Sequence, residues 1–269
     1  MNLKIFNFFD NFNNNFEEIY SYRYVLIQLV KQQLILKYRR TILGYTWNLL
    51  NPLLMMSITA IVFSSIYKMD LKSFTIYMFS GTVAFNLFSQ SIISSTTAFL
   101  QNEGLLTKVY IPRIIFPLSY IISIVIDNVL MTISLSLIIF IIGAKISFAL
   151  LFLPFAYILT FAFSLGFSLI ISIASIYLRD LQHIISILMQ ALLFLSPVFI
   201  KPALLSGKVK LLYSFNPLTY YINLFRMPLF EGKLPQNIEI IYCILFASFS
   251  LIIGLSFFNK YKNKFIFML

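Results

Sequence analysis

Few of the 269 residues can do chemistry, and their spacing argues against an enzyme. Cys243 is the single cysteine, which excludes an internal disulfide and a cysteine-based metal site, and the lone His183 adds no catalytic constellation. Gly207-Lys208 and Gly232-Lys233 lack the upstream glycine and the following hydroxyl of a phosphate-cradling loop, and no His-Glu-x-x-His occurs. One carboxylate, Asp127, stands near the middle of a long apolar run. At the centre of a bilayer such a group costs about 2.5–3.5 kcal/mol on insertion scales, so it must face protein or water and be paired or protonated. No partner basic residue is expected at similar depth, and two readings stand: a functional carboxylate, or one that hydrogen-bonds across a helix interface.

The second chemically marked stretch is 99–117, where Glu103, Lys108 and Arg113 sit between two apolar runs. Leu105, Leu106 and Val109 recur on one helical face beside Glu103 and Lys108, and Pro112 and Pro117 bracket the start of the next run. The pattern predicts a short amphipathic helix over about 100–110. A plain connector needs no apolar face, so this one docks against the headgroup layer or another protein.

The elements that must position these residues are membrane helices. The chain is 60% hydrophobic and 11% charged, far from the globular norm, which makes it a polytopic membrane protein. Its formal charge of +11 gathers at the ends of apolar runs, which topology explains better than nucleic acid does. The N-terminus reads Lys4, Asp10, Asn11, Asn13 and Glu17 with no apolar core or small-residue cleavage site, so no signal peptide is expected.

Residues 16–42 predict an interfacial helix, with Ile19, Tyr22, Leu26, Leu29 and Val30 on one face and Gln28, Lys31 and Gln32 on the other. It ends in Lys37-Tyr38-Arg39-Arg40, a cluster suited to anionic headgroups or to a partner protein. Six spans follow: 43–67, 74–98, 114–143, 148–177, 184–200 and 238–258. Lys68, Asp70 and Lys72 turn the first pair, Gly143-Ala144-Lys145 the third and fourth, and Leu178-Arg179-Asp180-Leu181 the fourth and fifth. The fifth closes at Ser196-Pro197, where proline limits a regular helix. Residues 201–236 mix charge with Tyr213, Phe215, Tyr220, Tyr221 and Phe225 and predict two short amphipathic helices, punctuated by Pro217 and Pro228, that dip into the interface or fold back into the protein. The fold class is thus an all-α membrane protein with an N-terminal segment 1–42, a six-helix domain 43–258 and a tail 259–269. The termini, the 99–113 connector and the 179 turn carry the cleaner excess of Lys and Arg, which places both termini on the cytoplasmic side.

Read in order, the motifs resemble a known family over nearly the whole chain. Leu43-Gly44-Tyr45-Thr46-Trp47 leads to Asn51-Pro52, then Asn102-Glu103-Gly104-Leu105-Leu106 and Ile111-Pro112-Arg113, then Leu178-Arg179-Asp180-Leu181, Ser196-Pro197-Val198 and Asn216-Pro217-Leu218. This looks like the membrane subunit of ABC-2-type exporters of cell-surface polysaccharide, the group of O-antigen and teichoic acid permeases. The resemblance implies a homodimer in the cytoplasmic (inner) membrane with a separate ATPase subunit, which would bind ATP and Mg, exporting a lipid-linked glycan. No cofactor is expected on this chain.

The resemblance also assigns roles. Asn102, Glu103, Leu105, Leu106 and Lys108 would form the coupling helix in a groove of the ATPase, with Arg113, Arg179 and Asp180 nearby. Residues 201–236, with Tyr213, Asn216, Pro217, Tyr220 and Arg226, would be exit-side gate helices. Aromatic side chains would line part of the pathway, since sugar C–H faces suit π-systems. Tyr45, Trp47, Phe63, Tyr67, Phe194 and Phe199 on the first and fifth spans are the candidates, with Asn48 and Asn51 as polar ones. Against this, thirty phenylalanines and sixteen tyrosines supply many rings that only face lipid. Three rivals stand: the same architecture exporting drugs or small lipids, a membrane-embedded transferase, which would need convergent polar groups at one face, and a secondary carrier, which would need more buried ionisable groups than Asp127.

Overall fold

The computed structural model describes residues 16–37, 39–67, 70–141, 147–200 and 207–262, and among these every regular element is helical. A short helix over 16–21 runs into α1 (Arg23–Lys37), and α2 (Trp47–Tyr67) follows a turn closed by Gly44 at φ 53, a left-handed position that glycine takes without strain. Then come α3 (Leu71–Ser95), the four-residue α4 (Glu103–Leu106), α5 (Ile115–Ile141) and α6 (Leu153–Tyr177). The last four are α7 (Leu181–Phe194), α8 (Gly207–Phe215), α9 (Pro217–Arg226) with a π-turn at Met227–Glu231, and α10 (Asn237–Tyr261). The expected turns at Lys68 and Lys145, and Lys201 at the start of the gate segment, lie outside the described residues.

Among the described residues, five helical stretches are long and apolar enough to cross a membrane: Gly44–Ile66, Leu71–Ser95, Ile115–Ser136, Phe148–Tyr177 and Asn237–Tyr261. The expected span 184–200 is instead the 14-residue helix α7, which ends at Phe194. At 1.5 Å per residue it covers about 21 Å, short of the roughly 30 Å hydrocarbon core. Pro197 is the cause: it offers no backbone N–H, so residues 195–200 turn instead of continuing the helix.

The bundle is organised around α3, which touches α2, α5, α6 and α9. Asp70 caps it by accepting the Ser73 backbone N–H at 3.0 Å, and that bond lowers the Asp70 pKa below the ordinary carboxylate range. Buried Ser80, Ser91 and Ser95 return their hydroxyl protons to carbonyls three or four residues back, so small polar residues enter the core with their groups satisfied. α6 and α10 pack most closely. A Cβ on Gly166 would fall on the Ser250 backbone and one on Gly254 on the Gly166 backbone, the small-residue contact that brings membrane helices together.

The directions of the helices put the 99–113 connector, the 178–180 turn and the end of α10 at one end of the bundle. A core cluster there joins Phe99, Ile111, Phe116, Ile173, Ile176 and Phe258 with Leu29 of α1. Ile19, Tyr22 and Leu26 pack on the same cluster while Gln28, Lys31 and Gln32 are exposed, as the amphipathic pattern predicts. The larger cluster fills the rest of the bundle. α2 differs from the other long helices in that its described apolar side chains Leu50, Leu54, Met55, Ile58, Ile61, Val62 and Ile66 are exposed.

Candidate functional site

Asp127 is the hub of the α1–α2 junction. Its Oδ2 accepts from Lys37 Nζ at 2.6 Å, and its Oδ1 accepts from the Tyr45 hydroxyl at 2.6 Å and from Asn48 Nδ2 at 2.7 Å. Lys37 Nζ also reaches Asn48 Oδ1 at 3.3 Å. Lys37 was expected among the headgroup-facing basic residues, but α1 runs along α5, with Gln33 Nε2 on Ser119 Oγ at 2.9 Å and Ser123 donating to Gln33 Oε1 at 3.0 Å. Asp127 lies twelve residues into α5, about 18 Å along its axis, so the last turn of α1 delivers the ammonium to a carboxylate inside a spanning helix. Pairing offsets the cost of both charges. The expectation that Asp127 has no basic partner at its depth is therefore corrected: the partner comes from the interfacial helix, not from another span, and the apolar runs alone did not reveal it.

Around this hub lies a cavity of about 690 Å³ between α1, α2, α3 and α5. Asn48, Asn51 and Trp47 line it from α2, Asn86 and Gln90 from α3, and Asp127 and Asn128 from α5. Gln32, Gln33 and Lys37 close it from α1, and Gln101 and Asn102 form its edge toward the connector. Of the pathway candidates, Tyr45, Trp47, Asn48 and Asn51 therefore gather here or beside it. Phe194 and Phe199 do not; they form a ring pair 6.0 Å apart at the end of α7. The side chains of Phe63 and Tyr67 lie outside the described residues. Sequence reasoning missed Lys37, Gln33, Gln90, Gln101 and Asn128 as part of this wall; the available signal was the unusual amide content of otherwise apolar helices.

At the connector, the expected 100–110 helix is a 3₁₀ turn at Leu100–Asn102 followed by α4, with turns from Thr107. Gly104, a poor helix former, and the approach to Pro112 keep it short. Glu103, Leu105, Lys108 and Val109 are exposed. Leu106 is half-buried against the lower core, and Asn102 is buried, donating to the Ala98 carbonyl at 2.8 Å and to the Tyr120 hydroxyl at 3.4 Å. Arg113 is half-buried; desolvation lowers its pKa, while Tyr110 and Glu18 act in the opposite sense. Arg179 and Asp180 are exposed in the turn at the same end of the bundle.

The described part of the segment expected to form the gate, from Gly207 on, folds back into the protein at the other end. Tyr213 donates to the Phe194 carbonyl at 2.7 Å, Asn216 Nδ2 to the Leu195 carbonyl at 3.0 Å and to Ser196 Oγ at 2.9 Å, and Arg226 Nη2 to the Pro197 carbonyl at 2.5 Å. The three carbonyls are acceptors left open where α7 stops, and in a membrane interior they must be satisfied by protein. Asn216 Oδ1 meanwhile caps α9, which starts with Pro217 at its first position, by accepting from the Leu218 backbone N–H at 3.0 Å. Arg226 is 5% exposed, with its guanidinium 3.8 Å from the Tyr77 ring centre, and Gly81 leaves the space for it. Tyr220 is half-buried beside Tyr242.

Among the described residues no three His, Cys, Asp or Glu side chains converge on a metal-binding geometry. What the arrangement offers is a polar chamber in a bundle, a charged connector at one end and a latched broken helix at the other. The family model for ABC-2 type transporters matches residues 24–230, a stretch that contains all three. The chain belongs to the ABC-2 type transporter family. It is 26% identical to the O-antigen export system permease protein RfbA of Klebsiella pneumoniae over 90% of this chain and 93% of that one. It is 28% identical to RfbA of Myxococcus xanthus, covering 81% and 85%, and 24% identical to the polysialic acid transport protein KpsM of Escherichia coli, again covering 81% and 85%. As an ABC-2 family member with five long apolar helices, it is a multi-pass membrane transport subunit.

Proposed function

We propose that this ABC-2 protein is the transmembrane subunit of an ATP-driven exporter that moves a lipid-linked polysaccharide across the cytoplasmic membrane. The observation that carries the reading is the match to O-antigen export permeases over 90% and 81% of the chain. ATP and Mg are bound by a separate ATPase subunit, which docks on exposed Glu103, Leu105 and Lys108 of the connector, flanked by Arg179 and Asp180. Asn102, Leu106 and Arg113 act from behind, holding the connector against the bundle. Both termini are cytoplasmic, which agrees with the connector and the end of α10 sharing one end of the bundle.

The active form is a homodimer. Its contact includes α2, on which Leu54, Met55, Ile58 and Ile61 are all exposed in the single chain. The gate segment, latched to the end of α7, forms the exit. Deleting the protein should leave polysaccharide trapped in the cytoplasm and absent from the cell surface, with restoration by the wild-type chain. Unchanged surface polysaccharide in the deletion strain would refute the reading.

A further inference from the structure

The cavity beneath α1 has a composition that membrane packing does not require. Nearly half of its lining residues are Asn or Gln, drawn from α1, α2, α3, α5 and the connector. Some have structural work: Asn48 holds Asp127, Gln33 bridges Ser119 and Ser123, and Asn128 donates to the Val83 carbonyl. Others do not. Gln32, Asn51 and Gln90 line the cavity with no hydrogen bond among the described residues, and Asn86 has only Met131 Sδ at 3.9 Å. Each primary amide carries two donors and an acceptor with two lone pairs, a set that matches adjacent hydroxyl groups, which both give and accept.

Charge narrows the ligand. Among the described residues, Lys37 and Asp127 are the cavity's only acidic or basic side chains, and at 2.6 Å they cancel. A polyanion would find no uncompensated cation here, and a cation no uncompensated carboxylate. Trp47 is part of the wall and 38% exposed, and an indole is a ring system that takes C–H contacts on its face. The volume falls within the range of sites that hold small organic ligands. Amides with unused groups, zero net charge and an indole at the wall together fit a neutral carbohydrate.

We infer that this chamber, inside a single subunit, is a binding site for uncharged sugar units of the cargo. The inference rests on the exporter reading for its choice of carbohydrate among hydroxyl-rich ligands. Trp47 is the only tryptophan in the chain, so its fluorescence reports on this cavity alone. The full-length protein, held in an amphipol without sugar headgroups, is titrated with neutral oligosaccharides of glucose, galactose, mannose and rhamnose and with a sialic acid oligomer. The neutral panel should give at least one saturable change in Trp47 emission, at least tenfold weaker in an Asn51→Leu/Gln90→Leu variant, and the sialic acid oligomer should give none. The state of each sample is checked by protection of Cys243, the one thiol, which is buried. No response from folded protein across the neutral panel, an unchanged response in the double variant, or an equal response to the anionic oligomer would each overturn the inference. Surface polysaccharide that still depends on the protein while the cavity fails these tests would remove the site and leave the exporter reading. Sugar binding without any effect of deletion on surface polysaccharide would do the reverse.

Discussion

Replacing Asp127 removes the acceptor on which the α1–α2 junction converges, and the size of the effect follows from what each partner loses. Tyr45 and Asn48 each give a hydrogen bond to an ionised acceptor, worth about 1.5–3 kcal/mol apiece. The Lys37 side chain is 47% exposed, so its ion pair contributes only about 0.2–1 kcal/mol after solvent screening. Water entering the cavity can rescue part of the loss, which sets Asp127→Ala near the lower end, about 3 kcal/mol. Asp127→Asn keeps Oδ1 for Tyr45 and Asn48 but turns a donor toward Lys37, and should cost about 1–2 kcal/mol. With about 2–4 °C per kcal/mol for a chain of this size, the expected falls in melting temperature are about 6–12 °C for Ala and about 2–8 °C for Asn. A fluorogenic maleimide supplies the assay, because Cys243 is the only thiol and becomes reactive only when the packing around it opens. An Ala variant melting within about 2 °C of wild type, or an Asn variant as weak as Ala, would refute the hub.

Three further substitutions probe the rest of the bundle. Gly166→Val places side-chain atoms where the Ser250 backbone lies, and should cost about 1–3 kcal/mol by the same melting assay; an unchanged melt would show that α6 and α10 separate freely. Arg226→Lys keeps the charge but not the planar group that joins the Pro197 carbonyl to the Tyr77 ring, so it should destabilise nearly as much as Arg226→Leu, whereas full rescue by Lys would mean that charge alone holds the latch. Leu105→Asp should leave the melting temperature unchanged, since the residue is exposed, and yet abolish association with the ATPase; retained association would move the docking surface elsewhere.

Hydropathy alone placed five long helices to within a few residues, and the amphipathic face of residues 16–42 gave the packed side of α1. Both are local signals, repeated over many turns. The early end of α7 was only half legible: Pro197 marked where the helix weakens, but the donors that make stopping there tolerable come from Tyr213, Asn216 and Arg226, beyond the next turn. The Lys37–Asp127 pair was not legible, because its members lie 90 residues apart and Lys37 reads, with its basic neighbours, as a headgroup anchor. Asn102 was similarly placed on the docking face by its position among charged residues, whereas its short side chain turns inward to Ala98 and Tyr120. Burial of a single polar side chain depends on packing that no sequence period encodes.

The central claim is that this chain works as the membrane half of an ATP-driven exporter, and purification of the tagged protein from its native membrane in mild detergent tests it most directly. A second polypeptide carrying a Gly-x-x-x-x-Gly-Lys-Ser/Thr nucleotide-binding loop should accompany it in equal amount and depart in the Leu105→Asp variant. A protein that emerges alone, under conditions that keep other membrane complexes together, would contradict the claim.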